Sequence, residues 1–182
     1  MLLAFCDLET TGLSREKHEI IQIAGLIWDS KTDEIVGTFN EYIKPNARIP
    51  NIITQITGIS NVTVQNARKS WDVLPDFFAW YKSYNCDYII GHNFKSFDAK
   101  FLEAQCARYG LFEKGIVMPP IIDTLQIARA LKKAGKITTI NEKQATLAEY
   151  FGIKYNAHNA IDDVECLVRI YRKMRMLDPK LI

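Results

Sequence analysis

The 182-residue chain predicts an α/β fold: a mixed five-stranded sheet, three antiparallel strands and then two parallel to the first, flanked by helices. Three observations predict it. Three β-rich segments come first, separated by short polar or glycine-marked connections. From Pro50 onward, helical patterns alternate with two short apolar strand segments, the order expected of helices laid on the faces of a sheet. With 48% hydrophobic and 24% charged residues, the composition is that of a globular domain, and the length suffices to bury a core without disulfides or a structural metal.

Leu2 to Glu9 reads as the first strand, ended by Gly12. Glu19 to Asp29 (EIIQIAGLIWD) is a second, rich in β-branched residues. The polar run Ser30 to Glu34 has the composition of a hairpin connection. Ile35 to Ile43 alternates as a third strand and stops before Pro45. Short helical pieces are expected at 51–55 and 62–67, on either side of Thr57-Gly58. Trp71 to Tyr84 is an amphipathic helix, and Asp87 to His92 (DYIIGH) a short buried strand. Phe97 to Tyr109 is a helix closed by Gly110, a common C-terminal signal. Pro120 to Ile122 is the last strand, followed by a helix from Asp123 to about Lys133. Lys136 to Ile140 is a loop, Lys143 to Phe151 a helix ended by Gly152, and Asn159 to Met176 the longest helix. With no linker or repeat, one domain over 1–182 is expected, its core over about 1–176.

Cys6, Cys86, Cys106 and Cys166 are widely separated, which disfavours a zinc ribbon or redox pair. Each sits among apolar residues as a small buried hydrophobe, a usage that fits a reducing compartment. The N-terminus lacks a basic leader, and nothing approaches the roughly 20 apolar residues of a membrane span. A cytoplasmic location and no membrane partner are expected. A net charge of +2 is weak for a dedicated duplex binder, but an enzyme that holds a few nucleotides with the help of metal ions needs no more.

The acids carry the chemistry. In a strand, residues i and i+2 share a face, so Asp7 and Glu9 continue the row of Leu3 and Phe5, about 7 Å apart. By itself D-L-E reads first as a solvated strand end. On the helix from Phe97, Asp98 falls within the arc of Phe101, Leu102, Cys106 and Tyr109. A carboxylate inside a buried stripe is costly unless paired or metal-bound, although Asp98 could also serve the helix N-terminus. On the last helix Asp163 lies at the edge of the apolar stripe, while Asp162 points away. His158, five residues before Asp163, would lie about 140° from it on a continuous helix. It is therefore expected in the preceding loop, where a histidine taken alone is an ordinary surface residue, as is His18. Four carboxylates gathered at one place repel, and divalent cations relieve the repulsion. An all-oxygen set favours Mg²⁺ or Mn²⁺, and two such ions can clamp both oxygens of a phosphodiester displacement.

Three blocks, FCDLETTGL (5–13), GHNFKSFDAKFL (91–102) and HNAIDDVECLVRIY (158–171), resemble those of the DnaQ-like 3′–5′ exonucleases. The resemblance is to the DEDDh group, which includes the proofreading subunit of the bacterial replicative polymerase, and it covers about residues 1–176. It implies an RNase H-like sheet, metal ligands at Asp7, Glu9, Asp98 and Asp163, and a general base at His158. It also implies that Thr10, Thr11 and Gly12 meet the terminal nucleotide, with Leu13 wedged against its base. His92, Asn93 and Phe94 are further substrate candidates, Phe94 as a base-stacking ring or equally as a core or lid residue. Three residues, Phe94-Lys95-Ser96, stand where the family has two, which bears on the loop around His92 and Asn93 more than on Asp98.

The expected reaction is hydrolysis of phosphodiester bonds from the 3′ end to nucleoside 5′-monophosphates with two divalent metal ions. One, held mainly by Asp7 and Asp163, would orient a water for His158 to deprotonate; the other would stabilise the leaving oxygen. Single-stranded nucleic acid is the expected partner, DNA ahead of RNA, with a DNA polymerase a further candidate partner in proofreading or repair. The alternatives are a 3′ exoribonuclease, a weakly active binding module of the same fold, and a generic metal-binding α/β phosphatase. Lys132, Lys133 and Lys136 read first as a helix end complementing its dipole. The oligomeric state is left open.

Overall fold

The computed structural model describes residues 1–157 and 159–181. Five strands, β1 (Leu2–Thr10), β2 (Ile20–Asp29), β3 (Glu34–Tyr42), β4 (Ile89–Gly91) and β5 (Ile121–Asp123), form one sheet of order β3-β2-β1-β4-β5. β1 pairs antiparallel with β2, from Leu2 opposite Asp29 to Thr10 opposite Ile20. β3 continues the meander, while β4 and β5 run parallel to β1. This is the expected mixed sheet. β4 is shorter than expected and β5 is shifted by one residue.

The two-residue period of β1 divides the core. Leu3 and Phe5 face one layer, built with α4 (Thr124–Lys133), α5 (Gln144–Tyr150) and α6 (Ala160–Leu177). Ala4, Cys6 and Leu8 face the other, built with α2 (Ser70–Ser83) and α3 (Asp98–Arg108). Phe5 and Tyr171 are fully buried and meet edge to face at 5.3 Å, and burial of the Phe5 ring stabilises by roughly 1.5–3 kcal/mol. β2 is buried on both faces, so its sequence is a nearly continuous apolar run. β3, at the sheet edge, is mostly exposed. All four cysteines are buried and free.

The segment 51–57 is a helix, α1 (Asn51–Thr57), ended by Gly58 at φ 73°. The stretch 62–67, expected to be helical, is a series of turns. Three β-branched residues disfavour a helix there, and Ser60 and Thr63 each accept the other's backbone N–H at 3.1 Å through their hydroxyls, competing with helical bonding.

Gly91 admits the loop that follows β4. A Cβ there would lie 2.6 Å from Phe94 Cβ, an atom too close to its own backbone to move cheaply. Gly91→Ala is expected to destabilise the protein by about 1–3 kcal/mol, read as a lower urea midpoint at constant slope. An unchanged midpoint would show that the loop relaxes freely. Among the described residues no helix is long and apolar enough to cross a membrane.

Candidate active site

Three elements bring the acids together. Asp7 and Glu9 stand on the α6 side of β1, near its C-terminal end. Asp163 comes from the first turn of α6, where Asn159 caps the helix by accepting Ile161 N–H. One carboxylate oxygen from each of Asp7, Glu9 and Asp163 lies within 4.8 Å of the others. Asp98, in the first turn of α3, is 4% exposed and its Oδ1 accepts Leu8 N–H at 3.2 Å. Its carboxyl therefore reaches β1 from the α3 layer, beside the trio rather than within it. Both sequence readings of Asp98, buried acid and first-turn acid, hold together.

The cleft over these acids has a volume of about 470 Å³ and is also lined by His92, Asn93, Lys143, Gln144 and Tyr155. Its electrostatics are those of crowded, partly desolvated anions. Burial first, and then the charges of Asp98, Asp163 and Glu9, pushes the Asp7 carboxyl well above its ordinary value. Burial and the neighbouring Asp163 push Glu9 up to about 7. Burial raises Asp98 to about 8, against the lowering effect of hydrogen bonds from its own backbone N–H and that of Leu8. An all-oxygen donor set whose members resist ionisation without a counter-charge fits a hard divalent cation. Asp7, Glu9 and Asp163 are the residues placed to hold one directly.

The segment after Glu9 is tightly organised. Thr10 Oγ1 donates to Gly12 O at 2.7 Å, and Thr11 Oγ1 accepts Glu19 N–H at 3.0 Å. A Cβ on Gly12 would meet His18 Nε2 at 2.6 Å, and His18 Nδ1 accepts Ser14 N–H at 3.0 Å. His18, unassigned from sequence, thus closes this turn. Leu13 stands 84% exposed beyond it.

On the opposite wall, His92 Nδ1 lies 2.9 Å from Thr124 Oγ1, and burial lowers the His92 pKa. Asn93 is exposed, with a left-handed φ of 59°. Phe94 is 1% exposed in the α2–α3 core, which corrects the expectation of a base-stacking ring: no face of it is open to a nucleotide. The physical reason is the bare Gly91, which leaves room for the phenyl ring. Phe97 lines the cleft instead. His158 lies outside the described residues.

Sequence reasoning missed three contributors. Asp123 Oδ1 accepts from Asn93 N at 2.9 Å and Leu125 N at 3.0 Å, and its Oδ2 accepts from Lys95 N at 3.0 Å. One buried carboxylate thereby fixes both the loop that carries the additional residue and the start of α4. Gln144 Nε2 donates to Asp163 Oδ1 and to Asp163 O, each at 3.0 Å, holding that carboxylate from α5. Tyr155 borders the acids, its hydroxyl raised to about 12 by burial and by Asp163. The one legible signal was Gln144, polar at i−3 from buried Leu147. Lys132 and Lys136 are paired with Glu142 and Asp178, each at 2.7 Å, so they are engaged within the protein.

A protein-family model, RNase_T, described as exonuclease, matches residues 4–171. The chain is 34% identical over 169 residues to DNA polymerase III PolC-type from Caldanaerobacter subterraneus subsp. tengcongensis, covering 92% of this chain but 11% of that protein. It thus spans about a tenth of that relative's length. E. coli Exonuclease I, solved with a dT13 oligonucleotide, superimposes with a TM-score of 0.82 at 19% identity over 99% of this chain and 42% of that one. The nuclease domain of 3′hExo, a DEDDh family member bound to rAMP, does so with a TM-score of 0.75 at 24% identity over 98% and 92% of the two chains. The fold is RNase H-like, shared with these exonucleases.

Proposed function

The chain belongs to the RNase T exonuclease family, and on that premise we propose that it is a metal-dependent 3′–5′ exonuclease of the DEDDh group that releases nucleoside 5′-monophosphates. The observation that carries this reading is the convergence of Asp7, Glu9 and Asp163 within 4.8 Å, beside buried Asp98, in a cleft open to solvent.

The protein's own groups divide the work. Asp7, Glu9 and Asp163 carry the cation-binding oxygens on a strand and a helix. Gln144 fixes the Asp163 carboxylate. The turn 10–13, directly after Glu9, would meet the terminal nucleotide through its backbone, with exposed Leu13 parting that nucleotide's base from the next. Asn93, on the loop pinned by Asp123, faces the same cleft. The general-base role falls to His158 through the H-x₄-D spacing, and an imidazole titrates in the range suited to taking a proton from water. When bound, two divalent cations, Mg²⁺ or Mn²⁺, supply the positive charge that a phosphodiester displacement needs.

Single-stranded DNA is the favoured substrate, supported by the likeness to PolC-type polymerases and to a nuclease solved with a DNA oligonucleotide. The same polymerase relatives support a proofreading or repair role beside a polymerase. The rAMP-bound neighbour keeps an exoribonuclease as the second reading. We place the activity in a single domain over 1–182. A cytoplasmic location fits the four free cysteines and a reducing compartment.

Digestion of 5′-labelled single-stranded DNA and RNA with Mg²⁺ is expected to give a ladder shortening from the 3′ end, faster on DNA, and none in EDTA. Internal cuts only, or activity that persists in EDTA, would overturn the proposal. Faster RNA digestion would favour the second reading.

A further inference from the structure

A second concavity lies on the outer side of α6, away from the acids. It measures about 550 Å³ and is lined by Lys154, Arg169, Arg172 and Lys173, with Phe151 and Met176 as apolar walls. Of its cations, Arg172 is firmly engaged and Arg169 only loosely. Arg172 pairs with Asp33 and sits 5.7 Å over Trp28, and Arg169 makes a 3.8 Å contact with Glu165 between half-exposed side chains, a pair worth little in water. Lys154 and Lys173 are exposed, and among the described residues neither has an ion-pair partner. In a chain with 23 basic and 21 acidic residues, this is a local concentration of positive charge.

Its position relative to the cleft gives it meaning. The connection between α5 and α6 is a shared wall: Lys154 lines the basic groove and the next residue, Tyr155, lines the acid cleft. α6 runs along both, with Asp163 in its first turn and Lys173 ten residues later, about 15 Å further at 1.5 Å per residue. A stacked strand, at about 3.4 Å per phosphate, covers that distance in four to five nucleotides. Cations bound by the acids act on the phosphate at the reacting end, so attraction for the phosphates further along a strand comes from outside the cleft.

We propose that the groove of Lys154, Arg169 and Lys173 is a second nucleic-acid site, holding backbone phosphates about four to five nucleotides upstream of the 3′ end being cut. Its ligand is a sequence-independent phosphodiester strand, and its role is retention of longer substrates. This rests on the proposed function, since the groove has a strand to hold only if the cleft processes one.

The test uses the full chain with Lys154→Ala and Lys173→Ala combined, both at exposed positions outside the cleft. KM and kcat are measured on a dT trinucleotide and a dT 20-mer across a salt series. The expected result is a KM for the 20-mer raised roughly tenfold, kcat unchanged, and trinucleotide kinetics unaffected. The dependence of log KM on log salt should become shallower by about 1.4, from about 0.7 for each lost phosphate contact to a single strand. Equal effects on both lengths, or none on either, would overturn the groove site. So would lysine-dependent binding of poly-glutamate with DNA kinetics unaltered, which would assign the groove to an acidic protein partner. If the unmodified chain degrades neither oligonucleotide, the proposed function fails, an outcome distinct from unchanged kinetics in an active variant.

Discussion

Asp7→Asn is expected to lower the rate of terminal nucleotide release by roughly 10³-fold or more, about 4 kcal/mol of transition-state stabilisation, while the protein remains folded. Asp7 is the hub of the site: its pKa is raised by burial and by the charges of Asp98, Asp163 and Glu9 together, and it shares the 4.8 Å cluster with two of them. Asparagine keeps the shape and removes the charge that would hold a cation. The metal-free variant should melt no lower than the unmodified protein, because a desolvated negative charge among like charges has been deleted. Asp98→Asn is expected to cost less activity, since Asp98 stands outside the close trio and its amide oxygen can still accept Leu8 N–H. The measurement is single-turnover digestion of a 5′-labelled oligonucleotide alongside thermal melts. Asp7→Asn activity within tenfold of the unmodified protein would remove Asp7 from the centre of the mechanism.

The second large effect is on stability as a function of pH and metal. Glu9 moves from 4.5 to about 7 and Asp98 from 3.8 to about 8 in the folded protein. A carboxyl whose folded pKa is raised binds its proton more tightly when folded. Its penalty is absent below the unfolded pKa and grows as pH rises towards the folded one. The metal-free protein should therefore lose stability steadily between about pH 3.8 and about pH 8. For Glu9 alone the change corresponds to about 3 kcal/mol, or roughly 6–12 °C in melting temperature for a chain of this size. Divalent cations bind the ionised carboxylates, so saturating Mg²⁺ should restore most of that loss near pH 8 and have little effect near pH 5. Melting curves at both pH values, with Mg²⁺ and with EDTA, read this directly. A melting temperature independent of pH in EDTA, or a Mg²⁺ effect equal at both pH values, would contradict a cation site built from these acids.

The sheet could be read from the chain because its strands obey local rules. The double-sided burial of β2 appears as the run IIQIAGLIW, and the two faces of β1 follow its period of two. The same rule put Asp7 and Glu9 on one face, and the helical period turned Asp163 inward. The turns at 62–67 were misread because the pattern of apolar residues there resembles a helix, while the hydroxyls of Ser60 and Thr63 decide the backbone. Phe94 stayed open between a base-stacking ring and a core or lid residue because nothing local says which side of a loop a ring will take; Gly91, three residues earlier, leaves the room that seats it in the core.

The order of elements, the side each acid takes on its own strand or helix and, through three motif blocks, the family are all written in the chain. Which acids share a cluster follows from packing. Residues 7 and 163 meet because α6 packs across β1, and residue 98 stays one step back because Leu8 N–H captures an oxygen of its carboxylate. It also decided the supporting contacts of Asp123 and Gln144 and the basic groove along α6. The reason is physical: hydrophobic periodicity is written in neighbouring residues, whereas hydrogen bonds and charge clusters between distant segments depend on distances that exist only once the sheet and helices have packed.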